Sequence, residues 1–254
     1  DIFEQALKQR IPQNAVLSHD LLEGVFARAA LISDVELVEE FPSRYDVELA
    51  RQHRWVRGDW QLLPFVLGFG NGRYITALGR WKMLDNLRRS LSAPALLLAL
   101  LVGWRQPLMA AIFWTVILGL TVVLPPLLPI LSGFLPRHRG FSFRGHARNL
   151  LRDIVLAGTQ ILFNAAFLAR VAYLSLDAIV RTLFRLFVSG KHLLEWVTFA
   201  QSAYSRRGGW QGLALQLAGS FAFVCAVAAY LAISRPENLW IAAPLLLLWA
   251  LSPL

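Results

Sequence analysis

The chain has 254 residues, 56% of them hydrophobic, and a mean hydropathy of +0.50, which is too apolar for an ordinary soluble domain. Its one cysteine, Cys225, lies inside an apolar run and excludes a disulfide framework or a thiol–metal site. The net charge of +9 would suit nucleic acid, but the basic residues flank apolar runs without interleaving with aromatics, as on the cytoplasmic face of a membrane protein.

The acidic residues divide the chain. Of 16, all but Asp153, Asp177, Glu195 and Glu237 precede position 93. Residues 1–90 therefore read as a water-facing part and 91–254 as a membrane region. The chain opens at Asp1-Ile2-Phe3, without a methionine or a signal-peptide pattern, and ends inside an apolar run at Leu254. The expectation is an excerpt of something larger.

In chain order, Phe3, Ala6, Leu7 and Ile11 share one face of a short amphipathic helix that Pro12 ends. Ala15 to Ser18 reads as a strand delivering His19 and Asp20 to a strand-to-helix junction, with a helix over Leu21–Leu31. Asp34 to Glu40 alternates and carries β-branched residues, which predicts a second strand ended by Pro42. A helix follows from about Val47 to Leu63. On it Arg51, Arg54, Trp55 and Gly58 fall at i, i+3, i+4 and i+7, one face. Arg73 to Arg89 forms another amphipathic helix leading to the first membrane run.

Four apolar runs cover about 91–104, 108–131, 213–233 and 239–254, paired as hairpins around Arg105-Gln106-Pro107 and Arg235-Pro236-Glu237-Asn238. The segment from Ile154 to Phe187 is apolar enough to span. Yet Arg170, Asp177, Arg181 and Arg185 form a polar stripe, and basic clusters flank the segment on both sides. One cluster would face outside if it crossed, so about 154–204 is expected to lie in the interface as amphipathic helices. The Asp20 side is then cytoplasmic.

Asp20, with Glu23 three residues on, is a capping-box-like arrangement or a presented general base, and the two roles are compatible. His19 is a hydrogen-bonded structural residue, a ligand or a proton carrier. The Arg51/Arg54/Trp55/Gly58 face is either an anion clamp beside a flat platform for a sugar, or a solvated basic face with a buried Trp. Arg57, Asp59 and Trp60 lie elsewhere on the helix and pack or pair locally. Glu39 and Glu40 point to opposite faces of the expected strand, so they do not form a hydrolytic pair. Gly208-Gly209 makes no phosphate-cradling pattern.

Five stretches, in order, carry a resemblance: SHDLLEG (18–24), EEFPSRYD (39–46), RQHRWVRGDWQLLP (51–64), LDAIVRTLFRLFVS (176–189) and KHLLEW (191–196). With them the chain resembles the cyclic β-1,2-glucan synthases, glycosyltransferase family 84, and more broadly membrane glycosyltransferases of the cellulose and hyaluronan synthase type. The resemblance implies an α+β fragment, the acceptor side of a GT-A-like domain, followed by a mostly helical membrane region in a bacterial inner membrane. It implies inverting transfer of glucose from UDP-glucose to the 2-hydroxyl of a growing glucan.

Carried over, Asp20 matches the catalytic base, Arg54 the arginine that steadies the nucleotide diphosphate, and Trp55 the tryptophan that stacks on the acceptor. Arg51 stands where the family signature has Gln, as a second phosphate contact or an acceptor contact. His19 replaces one member of an acidic pair. The resemblance implies Mg2+ or Mn2+ on Asp-rich motifs upstream; no D-x-D occurs here, and no metal ligands are assigned. Expected partners are the glucan acceptor, membrane lipid and an upstream glycosyltransferase half, with no nucleic acid. The rival expectation is a non-catalytic membrane scaffold or transporter module binding anionic lipid or a partner protein.

Overall fold

The computed structural model describes residues 2–8, 10–11, 16, 19–28, 33–38, 44–133, 143–195 and 210–252. Its helices are α1 (Ile2–Leu7), α2 (Asp20–Ala27), α3 (Tyr45–Gln61), α4 (Leu63–Val66), α5 (Ala77–Gly103), α6 (Leu108–Gly133), α7 (Phe143–Phe184), α8 (Trp210–Ser234) and α9 (Leu239–Leu251). They sort into two compact units: Asp1–Pro94 with Val171–Arg207, and Ala95–Arg170 with Gly208–Leu254.

Among the described residues there is no strand, which corrects the expected α+β, GT-A-like fold: the chain is mainly α-helical. Residues 35–38 carry the alternation that predicted a strand, but Val35, Leu37 and Val38 are 58%, 87% and 96% exposed and no described segment pairs with them. A strand needs a hydrogen-bonding neighbour. Of the other expected strand, Val16 has no regular structure and Ala15, Leu17 and Ser18 lie outside the described residues.

The core of the first unit gathers Leu22 and Phe26 of α2, Leu62 after α3, Phe65 and Val66 of α4, and Ile75, Met83 and Leu87. Each fully buried side chain of this size contributes roughly 1.5–3 kcal/mol. Gly72 is what the tight path after α4 demands. A Cβ there would lie 2.5 Å from the Phe65 carbonyl oxygen and 2.8 Å from Phe65 Cα. Gly79 lets α5 approach α2 closely, since its Cβ would meet Val25 Cγ2 at 3.2 Å.

In the second unit α8 and α9 form a hairpin whose turn is held by Asn238. That side chain is buried, and its Nδ2 donates to the carbonyls of Trp104 and Gln106, both at 2.8 Å. Arg235 Nε donates to the Arg105 carbonyl at 3.2 Å. The two turns expected from the sequence thus meet. Trp104 is buried, donates Nε1–H to Thr115 Oγ1 at 3.0 Å, and packs 5.8 Å from the ring of Trp249.

Among the described residues, three helical stretches are long and apolar enough to cross a membrane: Leu108–Leu131, Arg144–Ser189 and Leu217–Ser234. The 91–104 run is the second half of α5, whose first half is the expected amphipathic helix. Pro236–Leu251 is a shorter apolar helix. α7 covers the start of the segment expected in the interface as one continuous helix. Its 42 residues extend about 63 Å, more than one crossing needs.

Candidate functional site

His19, not Asp20, caps α2. Its backbone is extended (φ −139°), its N–H donates to Glu23 Oε1 at 3.1 Å, and its carbonyl accepts from the Glu23 N–H at 3.0 Å. Asp20 is therefore the first helical residue. It is exposed, and its carboxylate makes no hydrogen bond among the described residues. A carboxylate in the first turn is favoured by the helix dipole and needs no capping duty to stay there.

The imidazole of His19 lies across α3. Its Nε2 is 3.1 Å from Asp59 Oδ1, and a Cβ on Gly58 would come within 3.4 Å of His19 Cδ2. His19 packs beside the face of α3 that Gly58 leaves open. Asp59 Oδ1 also accepts from Asn86 Nδ2 of α5 at 2.7 Å, so one carboxylate ties three helices. Asn86 Oδ1 in turn accepts from Arg89.

Arg54 and Trp55 lie on this face about one turn, roughly 6 Å, before Gly58. Trp55 is 52% exposed and Arg54 is half-buried. Arg51 is committed locally: Nη2 is 2.7 Å from Glu48 Oε2, and its guanidinium lies 4.7 Å over the Trp55 ring. Three of the four assigned residues, Arg51, Arg54 and Trp55, share a helix face, and His19 brings the Asp20 turn against the same helix. Residues 39–43 of EEFPSRYD lie outside the described residues. Its end opens α3, where Arg44 pairs with Asp46 at 2.7 Å.

A second stripe on α3 was not foreseen. His53, Arg57 and Gln61, at i, i+4 and i+8, meet the end of α7 and the residues after it. His53 Nε2 is 2.9 Å from Asp177 Oδ2, and Asp177 takes Arg181 Nε at 2.7 Å. Burial holds the His53 imidazole below its ordinary pKa, outweighing the Asp177 carboxylate. Gln61 is 2% exposed and donates to the Leu193 carbonyl at 2.7 Å. Burial, then the charge of Arg185, lowers the affinity of Arg57 for its proton.

α7 ends in a π turn over Arg185–Ser189, closed by Gly190 at φ +62°, whose N–H donates to the Arg185 carbonyl at 2.9 Å. That left-handed φ suits glycine. The turn lets Arg185 reach forward to the His192 carbonyl at 2.8 Å and Glu195 Oε2 at 2.9 Å. The stretches LDAIVRTLFRLFVS and KHLLEW are therefore neighbours of the RQHRWVRGDW helix. The i, i+4, i+8 polar spacing on α3 was the available signal.

Among the described residues no group of three or more His, Cys, Asp or Glu side chains is arranged to hold a metal ion. No family model matches the chain. The chain is 48% identical over 257 residues, all of its length, to the cyclic beta-(1,2)-glucan synthase NdvB of Rhizobium meliloti (strain 1021), and it spans 9% of that protein.

Proposed function

We propose, for a chain related along its whole length to a segment of a cyclic β-(1,2)-glucan synthase, that it is the membrane-proximal, acceptor side of an inverting glucosyltransferase. The donor is UDP-glucose and the acceptor a growing β-1,2-glucan. The observation that carries this reading is the seating of His19 over Gly58 with its Nε2 against Asp59, which fixes the Asp20 turn beside the Arg54/Trp55 face.

In the proposed reaction Asp20 accepts the proton of the acceptor hydroxyl as that oxygen attacks the anomeric carbon. The bond from that carbon to the diphosphate oxygen breaks, and UDP leaves with the electron pair. One displacement inverts the anomeric centre. The Arg54 guanidinium answers the charge developing on the leaving diphosphate. The exposed Trp55 ring takes the apolar face of the acceptor sugar, stiffened by Arg51 over the ring.

The chain is multi-pass in a bacterial inner membrane, with Asp20 and α3 on the cytoplasmic side. Two findings support this topology: the turns at 104–106 and 235–238 are joined through Asn238, and basic residues crowd the other ends of the apolar runs.

The acceptor role is tested on the full-length protein with Trp55→Phe and Trp55→Ala in a primed reaction. Trp55→Ala is expected to raise the acceptor KM roughly tenfold, equivalent to about 1.4 kcal/mol of lost acceptor binding, with Trp55→Phe closer to wild type. An unchanged acceptor KM in Trp55→Ala counts against the assignment.

A further inference from the structure

Among the described residues, Arg57 of α3 has donors that nothing answers. Its Nε and Nη2 are buried and make no hydrogen bond among those residues. These two nitrogens form one edge of the guanidinium, a fork of parallel N–H groups that matches two oxygens of one anion. Buried charged donors without acceptors are rare because they lose hydration with nothing in exchange. Among the described residues, the carboxylates of Asp177 and Glu195 are already committed. Asp177 is taken by His53 and by Arg181, and Glu195 by Arg185 and His192. Arg185 and Arg181 add positive charge around Arg57, and Glu195 only partly offsets it.

We propose that the Nε/Nη2 edge of Arg57, with Arg185 beside it, is a binding site for a phosphate oxyanion held bidentately where α3 meets the end of α7. Phe184, Phe187 and Val188, on the segment that carries Arg185, are exposed and apolar. They suit acyl chains, so a phospholipid headgroup supplies the phosphate on this account, and free phosphate shares its chemistry. On α3 Arg57 lies roughly opposite Trp55 but only about 60° round the helix from Arg54, and its test reads binding without turnover.

The full-length protein is stripped of lipid in a neutral maltoside detergent. It is then titrated separately with dihexanoylphosphatidylglycerol and with inorganic phosphate, against chloride at matched ionic strength, and the thermal midpoint is followed. The wild type is expected to shift upward with the lipid. A shift with lipid alone identifies a headgroup site, and a shift with both shows that the phosphoryl group suffices. Arg57→Gln should weaken the apparent affinity roughly tenfold to hundredfold. Arg57→Lys, which keeps the charge without the fork, should fall between. If Arg57→Gln does not fold, Arg57→Lys and Arg185→Gln carry the comparison, both weaker than wild type. No shift with either ligand, or equal affinities in wild type and variants, overturns the proposal.

Discussion

A methyl group fits at Gly58 and a larger side chain does not. The added Cβ would make ordinary contact with His19 Cδ2 at 3.4 Å, so Gly58→Ala should leave the imidazole on Asp59. It should also gain up to about 1 kcal/mol of helix propensity. Gly58→Leu must lift His19 away, costing about 1–3 kcal/mol by overpacking. Thermal denaturation and glucose incorporation should both fall for Leu and neither for Ala. A second residue-scale prediction concerns pH. Burial puts the folded pKa of His53 below its ordinary 6.5, so between the two values the unfolded chain binds more protons. That contribution to stability is complete above the unfolded pKa. It declines as pH falls through that value and levels off below the folded one. Denaturation midpoints measured from about pH 5 to pH 8 should show this slope, and His53→Gln should flatten it.

Among the elements, the turn between α4 and α5 is the least forgiving. Gly72→Ala drives a Cβ against the backbone of Phe65, which cannot swing aside as a side chain would. The expected loss is at least the roughly 1–3 kcal/mol of ordinary overpacking, read as a lower denaturation midpoint. The helices were legible because their apolar spacing is local: the expected 47–63 helix is Tyr45–Gln61, and the 108–131 run is Leu108–Gly133. The 34–40 strand was not. Alternation and β-branched residues say that a segment would fit a pleated surface, but they do not supply the partner. The candidate site divides the same way. Arg51, Arg54, Trp55 and Gly58 share a face because they share a helix. His53 meets Asp177 across 124 residues, and Arg57 faces the π turn, through tertiary docking that no local period encodes.

At the scale of the whole molecule, the proposed topology puts the two turns on one side of the membrane. Positive-inside reasoning left Arg105 and Arg235 as the turns' sparse charges, and Asn238 shows that the turns also touch. With Cys225 replaced by Ala, Gln106→Cys and Glu237→Cys should both react with a membrane-impermeant thiol reagent added outside intact inner-membrane vesicles only when those vesicles are right-side-out. Labelling of the two positions from opposite sides would break the hairpin topology. Asn238→Leu strands two carbonyls, of Trp104 and Gln106, at a cost of about 1–3 kcal/mol each, and should lower the thermal midpoint in detergent.

The central claim is that Asp20, freed of capping by His19 and Glu23, is the base. The direct test is incorporation of labelled glucose from UDP-glucose by membranes holding full-length Asp20→Asn, with protein level and thermal midpoint measured alongside. The predicted result is a loss of roughly 10²–10⁴-fold at unchanged stability. Near-normal incorporation by Asp20→Asn would contradict the assignment and return this turn to a purely structural role.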